Sequence, residues 1–411
     1  MIPHFAVRPE VRFRLDGSAA RCYNARMKDE RRINRRAFLG LGAGALAAGC
    51  VNIGKGAPGD YSVVMLGDVH FDSTDPQKYH AAYRPEETYL KKAFASAHAR
   101  TLQMFPDRMA RLAAAARRDC RPDTRFVLQL GDLIQGNCGT EPYQRAMLTD
   151  AFDYFKSRAA GDLPFVPVVG NHDEHAHAWV DKTTTPPEIY RKTIVPRVAR
   201  ELDRSLAGPT FSFRLGPDLF VCLDYFHEPD LPLILRLLDD ARDVRHTFVV
   251  THGPLVPSNP ATAPGRYRDG LFAQPGRDAE RRALVKTLLK RRAVVLAGHC
   301  HRTEIEEMAT PDGRFVQFMG SSVWADDAGA VKQPHKSRAD QYGVIPKNFA
   351  KGYDPADAEA LFAEFRPHVT RYVSSGLQGR FLLEVRGDAV SVSLRGGDSP
   401  EELRRYTLKG A

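Results

Sequence analysis

Five short apolar runs in this chain each end abruptly in a residue type that can ligate a metal ion. Val63-Val64-Met65-Leu66 runs into Gly67-Asp68-Val69-His70, Phe126-Val127-Leu128-Gln129-Leu130 into Gly131-Asp132, and Val166-Pro167-Val168-Val169 into Gly170-Asn171-His172-Asp173. Phe248-Val249-Val250-Thr251 then meets His252, and Val294-Val295-Leu296-Ala297 meets Gly298-His299-Cys300-His301. β-branched runs of this length read as buried strands, and strand ends in an open α/β sheet line one crevice. Five loops far apart in sequence can therefore converge on one site. Asp-x-His and His-x-His place both side chains on one side of a strand end, because alternate residues share a face. Gly67, Gly131, Gly170 and Gly298 stand at the turns leading into these residues, where a bare backbone can approach an ion closely.

The ligand types narrow the chemistry. Carboxylate, imidazole and amide oxygen suit divalent or trivalent Mn, Fe or Zn, and without a thiolate cluster the set is no structural cysteine–zinc site. A single carboxylate can bridge two ions about 3.5 to 4 Å apart.

Helical stretches around 85–118, 144–159, 231–242 and 277–290 alternate with strand candidates over 62–66, 125–130, 165–169, 210–215, 219–223, 247–251, 293–297 and 315–319. This order predicts an α/β domain. Residues 381–385 and 389–394, joined by Arg386-Gly387-Asp388, predict a hairpin. The segments 254–275 and 324–375 are longer than ordinary connections and read as insertions. At 411 residues and 43% hydrophobic, the chain can bury a large core, which excludes a disordered or disulfide-stapled class. Its formal charge of +9 lies mostly before residue 61, where 11 Lys and Arg face 5 Asp and Glu; the body is no basic nucleic-acid platform.

The ordered series D-x-H, G-D, G-N-H-D, H and G-H-x-H across Asp68 to His301 resembles the signature of the calcineurin-like metallophosphoesterase superfamily. The resemblance implies a four-layer αββα sandwich with long loop insertions. It implies a hydrolase of phosphoric esters, mono- or diesters, with a dinuclear centre and a bridging hydroxide nucleophile. Position by position, it implies that Asp68, His70 and His301 hold the first metal, that Asp132 bridges, and that Asn171, His252 and His299 complete the second. His172 would face the substrate and Asp173 would orient it. The position three after the bridging aspartate is Gln135 where the purple acid phosphatase branch has tyrosine, so an iron–tyrosinate colour is not expected. The implied partner is a small phosphoester rather than a nucleic acid, and a binding protein without activity is the competing class.

Arg31-Arg32-Ile33-Asn34-Arg35-Arg36-Ala37-Phe38-Leu39 followed by a small-residue run ending in Ala48-Gly49-Cys50 resembles a twin-arginine export signal. This predicts passage through the twin-arginine translocation machinery and a periplasmic or outer-face location. Cys50 is a candidate for lipidation and a lipid anchor. Translation from Met27 gives a signal of normal length over 27–50, with 51–60 as linker, 1–26 as an upstream extension and the catalytic domain over 61–397. Cys120 and Cys138 can pair outside the cytoplasm; Cys222 reads as core and Cys300 as packing between two ligands. His175 and His177 read as exposed loop residues, with a place lining the substrate pocket as the alternative, and Lys290-Arg291-Arg292 as a helix end. Tyr267 and Arg268 read as a solvated loop, and Gly320-Ser321-Ser322 as a turn that could bring backbone donors to the site.

Overall fold

The structure, a computed structural model, describes residues 59–410 apart from 225, 227–229, 240–242, 258–275, 324–337 and 346–353. Residues 1–58, which include the expected export signal over 27–50 and Cys50, lie outside the described residues, as do Tyr267 and Arg268.

Two mixed sheets form the centre of the fold. β1 (Tyr61–Leu66), β2 (Thr124–Gln129) and β3 (Phe165–Pro167) are parallel neighbours, and β11 (Arg380–Arg386), β12 (Ala389–Arg395) and β13 (Glu402–Lys409) extend them as an antiparallel meander in the order β13-β12-β11-β1-β2-β3. The second sheet runs β10 (Val369–Ser375), β8 (Thr303–Thr310), β9 (Gly313–Met319), β7 (Val294–Ala297), β6 (Thr247–Val250), β5 (Asp218–Cys222) and β4 (Phe211–Leu215). β5, β6, β7 and β9 lie parallel, with Val249 opposite Val295 and Leu296 opposite Phe318.

Strand alternation divides the second sheet between two cores. Phe220, Phe248, Val250 and Leu296 point at the first sheet, where Phe126 meets Phe213 and Phe220 edge-on at 5.6 and 5.3 Å and Phe381 meets Phe318 at 5.3 Å. Leu219, Val221, Val249 and Val295 point outward, onto the apolar faces of α7 (Leu231–Asp239), α8 (Asp278–Arg291) and α9 (Pro355–Phe365). The helices α2 (Thr88–Met104), α3 (Asp107–Asp119) and α4 (Glu141–Phe155) cover the first sheet with Met109, Leu112, Met147 and Phe152. The result is the expected four-layer sandwich. Truncating a ring as enclosed as Phe126 costs about 3–5 kcal/mol.

The structure departs from the sequence expectation in several places. The helix over 85–118 is two helices, because Phe105 before Pro106 is extended (φ −104°, ψ 148°), as a residue preceding proline prefers. The segment 324–375 ends in α9 and β10, which pairs with β8, so its last third belongs to the sandwich. β8 escaped the pattern because it buries Glu304 and Glu306 where alternation leads one to expect apolar residues. β13 continues the first sheet past residue 397. Cys120 and Cys138 are both free thiols; Cys138 lies buried against the Met147 sulfur at 3.6 Å, while Cys222 is core as expected.

Candidate metal centre

The loops following β1, β2, β3, β6 and β7 meet at one end of the sandwich. Asp68, His70, Asp132 and His301 each offer a ligand atom within 4.8 Å of the others, and Asp132, His252 and His299 do the same, so Asp132 belongs to both groups. Six of the seven residues singled out in the sequence are thus brought together; Asn171 is in neither group, and its side chain contacts His175. Asp68, His70, Asp132, His252 and His299 are buried, and His301 is half-buried.

Backbone geometry brings them together at a cost. His70 (φ 44°), Asp132 (φ 54°), His299 (φ 68°) and His301 (φ 53°) all occupy the left-handed region, which side chains with a Cβ avoid by about 1–2 kcal/mol each. Contacts between the loops hold them there. The amide N–H of His70 donates to the Asp132 carbonyl at 2.9 Å, Phe71 N–H to Leu133 O at 2.9 Å, and Gly298 N–H to His252 O at 2.9 Å. The glycines leave the room this requires: a Cβ on Gly170 would lie 2.1 Å from the Asp132 nitrogen, and one on Gly67 1.9 Å from the Ser321 carbonyl oxygen. Ser321 and Ser322 thus pack directly beneath the Asp68 turn, and Val323 N–H reaches the Asp68 carbonyl at 3.4 Å.

Second contacts aim the ligand atoms. His252 Nδ1 faces the Leu130 carbonyl at 2.7 Å, which places the proton on Nδ1 and turns Nε2 inward, 3.1 Å from Asp132 Oδ2 and 3.7 Å from Asp68 Oδ1. His301 Nε2 lies 3.3 Å from Asp68 Oδ1, and His70 Nε2 lies 3.2 Å from His301 Nε2 and 3.7 Å from Asp132 Oδ2. The His299 amide donates to both oxygens of Asp68 at 3.1 and 3.2 Å. Burial works against the charge on Asp132, but His252 and His172 outweigh it and hold the carboxyl well below its usual range. Burial lowers His252 as well, and Asp132 and Asp68 overcome it, bringing that imidazole up to about 9. Burial, then His172, keeps His70 well below its ordinary value.

His172 stands at the mouth, its ring 4.5 Å from that of His70. Its amide donates to Asp132 Oδ1 at 2.8 Å, and its Nδ1 faces the Gln135 carbonyl at 2.7 Å, leaving Nε2 as the nitrogen for a ligand. Asp173 does not orient this ring. Its carboxylate turns inward and accepts the amides of Gly170 at 2.8 Å and Ile134 at 3.0 Å, tying the third loop to the second; Gln135 takes the orienting role instead. Burial, then the charge of Asp132, pushes Asp173 up to about 8.

His175 is not a solvated loop residue but half-buried, 4.2 Å from the His172 ring and 5.2 Å from that of His177, which is half-buried too. Cys300 packs with Ala297 and Met319, as read from the sequence, and Arg291, ending α8, pairs with Asp239 at 3.2 Å. Gln129 was overlooked. Fully buried, it donates to the Gly67 carbonyl at 3.2 Å and accepts the Gly131 amide at 3.1 Å, joining the first two ligand loops. A polar residue inside an apolar strand immediately before Gly131 was its signal. Phe226, 5.9 Å from His252 and 5.5 Å from His299, was also missed.

Residues 61–303 match the calcineurin-like phosphoesterase family, and the chain belongs to that family. A search of the curated proteins finds no match. Among solved structures, the chain is similar to a purple acid phosphatase from yellow lupin (Lupinus luteus) seeds, with 14% identity and a TM-score of 0.49 over 86% of this chain and 55% of that one. It is similar to PhoD at 14% identity and a TM-score of 0.45, covering 85% and 68% of the two chains. It is also similar to GAP50, the anchor in the inner membrane complex of Plasmodium, at 12% identity and a TM-score of 0.41, covering 85% and 89%. The chain spans just over half the length of the lupin protein. Among the described residues, no helix is long and apolar enough to cross a membrane.

Proposed function

We propose that this protein hydrolyses small phosphoric esters, mono- or diesters, at a dinuclear centre. Asp68, His70 and His301 would hold one ion, Asn171, His252 and His299 the other, and Asp132 both. The observation that carries the reading is the pair of ligand groups, each drawn within 4.8 Å, that share Asp132. The donor set fits Mn, Fe or Zn: carboxylate and imidazole, with the Asn171 amide oxygen buried and without a hydrogen-bond partner among the described residues. Filled, such a centre supplies an acidified water and positive charge against the phosphoryl oxygens.

The chain's own residues do the rest. Gln135 fixes the His172 tautomer, so His172 Nε2 is offered to a phosphoryl or leaving-group oxygen. Asp173 joins the Gly170 turn to Ile134 and keeps Asn171 and His172 in register with Asp132. Residues 27–50 serve in this proposal as a twin-arginine export signal, with Cys50 as a lipidation site and the catalytic domain beginning at 61.

The test is steady-state hydrolysis of a nitrophenyl phosphomonoester and a bis-nitrophenyl phosphodiester by the full chain, metal-free and with Mn, Zn or Fe, beside Asp132→Asn. The expected outcome is metal-dependent turnover that falls at least about 10³-fold in the variant, since a bridging carboxylate loses one ligand oxygen. The ratio of the two rates assigns monoester or diester preference. Turnover that persists after metal removal, or that Asp132→Asn leaves intact, rejects the proposal.

A further inference from the structure

An amide can ligate a metal through its oxygen only; its NH₂ end cannot. The two ends of an asparagine side chain exchange by a half-turn, so a ligating asparagine needs something to hold the nitrogen end away from the ion. Asn171 Nδ2 lies 3.3 Å from His175 Nε2, and Asn171 Oδ1 is buried with no hydrogen-bond partner among the described residues. The residues on either side of Asn171 pack on Asp132. The His172 amide donates to Asp132 Oδ1 at 2.8 Å, and Gly170 is pressed against the Asp132 backbone so closely that no Cβ fits.

His175 owes its place to the local fold. The tight 3₁₀ turn His172–Glu174 lies between it and Asn171 and folds the chain back so that the two side chains meet. Gly136, at φ +70°, lies beneath that turn, where a Cβ would meet the His172 carbonyl at 2.4 Å and the His175 Cβ at 3.4 Å. The rings of His172 and His177 flank the His175 ring at 4.2 and 5.2 Å. It is wedged between them with Nε2 on the amide.

Resting on the reading of Asn171 as a ligand, we infer that His175 is a positioning residue for the second metal. Its Nε2 accepts the Asn171 NH₂ proton, locks the amide, and turns Oδ1 toward the position shared by Asp132, His252 and His299. The inference separates the two metals: His175 acts on one and leaves the other alone. It also assigns a function to a histidine outside the five ligand blocks.

The test counts metal rather than product. Metal-free full chain is titrated with Mn²⁺ alone by calorimetry, and bound metal is measured after gel filtration for wild type, His175→Ala and His175→Gln. Wild type is expected to take two equivalents. His175→Ala keeps the tighter equivalent unchanged and binds the other 10- to 100-fold more weakly, the usual effect of removing a group that orients a ligand. His175→Gln, whose Oε1 can accept the same proton, restores the second equivalent. Turnover of His175→Ala recovers with excess Mn²⁺.

Both equivalents binding unchanged in His175→Ala overturns the inference, as does a glutamine variant no better than alanine. Equal weakening of both sites, with a lowered melting temperature of the metal-free protein, shows a merely structural histidine and also overturns it. Fewer than two equivalents in wild type defeats the dinuclear reading itself, an outcome distinguishable from the others because it needs no variant. Should His175→Ala not fold, the comparison of wild type with His175→Gln and His175→Leu decides by the same count.

Discussion

At the carboxyl ends of β1, β2 and β7 the chain sets His70, Asp132, His299 and His301 on a left-handed backbone, while on the outer face of β8 and β9 it buries Glu304, Glu306 and Gln317 on regular strands. Both regions are polar and enclosed, yet they are built in opposite ways. In the outer region, Tyr372 and Ser374 donate hydroxyl protons to Glu304 at 3.3 and 3.0 Å, and Gln317 donates to Glu306 at 3.3 Å. Gln317 also accepts the amides of Leu255 and Val256 at 2.7 and 3.2 Å, and Tyr342 donates to the Pro257 carbonyl at 2.7 Å. This network anchors the chain that follows His252, although Glu306 keeps one buried oxygen with no hydrogen-bond partner among the described residues.

The metal end is strained and gathers groups of like type: His70 and His301 bring two imidazole nitrogens within 3.2 Å, and Asn171 presents an oxygen with no hydrogen-bond partner among the described residues. What separates the two regions is the backbone: polar groups carried on regular strands stabilise a fold, whereas polar groups held together on a strained, left-handed backbone mark a site for something else.

The sharpest way to break this contrast is Gly170→Ala. Its methyl would collide with the Asp132 backbone, so one loop must move. We expect a loss of about 3 kcal/mol or more in urea unfolding, together with loss of bound metal. A variant as stable and as metal-rich as wild type would show that the loops are not locked together.

Next is metal itself. Mn²⁺ at about 100 times its Kd should stabilise the protein against urea by about 2.7 kcal/mol per site, and a chelator should remove that gain. Glu306→Gln should leave this metal response untouched. Equal sensitivity of the two regions to chelation would erase the distinction.

The outer region predicts a dependence on pH. Burial, then the charge of Glu304, pushes Glu306 well above its ordinary 4.5. The folded protein therefore keeps a proton that the unfolded chain releases. The contribution of Glu306 to stability thus falls as pH rises above about 4.5, by about 1.4 kcal/mol per unit until its folded value is reached. Glu306→Gln has no such proton to lose, so its stability relative to wild type should climb from about pH 5 to pH 8 in urea titrations. Parallel curves would show Glu306 ionised in the fold.

The smallest effect belongs to Cys300→Ala. Buried against Ala297 and Met319 between two ligand positions, it should cost about 1 kcal/mol of stability. Turnover should change less than about twofold, because its side chain faces away from the ligands. A large loss of activity at unchanged stability would make the thiol part of the site.

The five ligand blocks, their order and the strands leading into them were legible in the sequence, because apolar runs broken by Gly-Asp or Gly-His report a local event: a strand ending in a turn. The α/β order followed from that pattern and the sandwich from the family resemblance the blocks carry, while Arg386-Gly387-Asp388 announced the terminal hairpin that pairs Arg386 with Ala389. Contacts across the fold were not legible. Whether Asp173 points at His172 or at the Gly170 and Ile134 amides depends on where the second loop lies against the third. That His175 meets Asn171 depends on a 3₁₀ turn and the room left by Gly136. That Glu304 and Glu306 can sit in a strand interior depends on Gln317, Tyr372 and Ser374 arriving from two other strands. A chain encodes the direction of its own strands through side-chain period and turn residues, both short-range properties. Which polar groups face one another across the fold is fixed only when the core closes and every buried donor must find an acceptor.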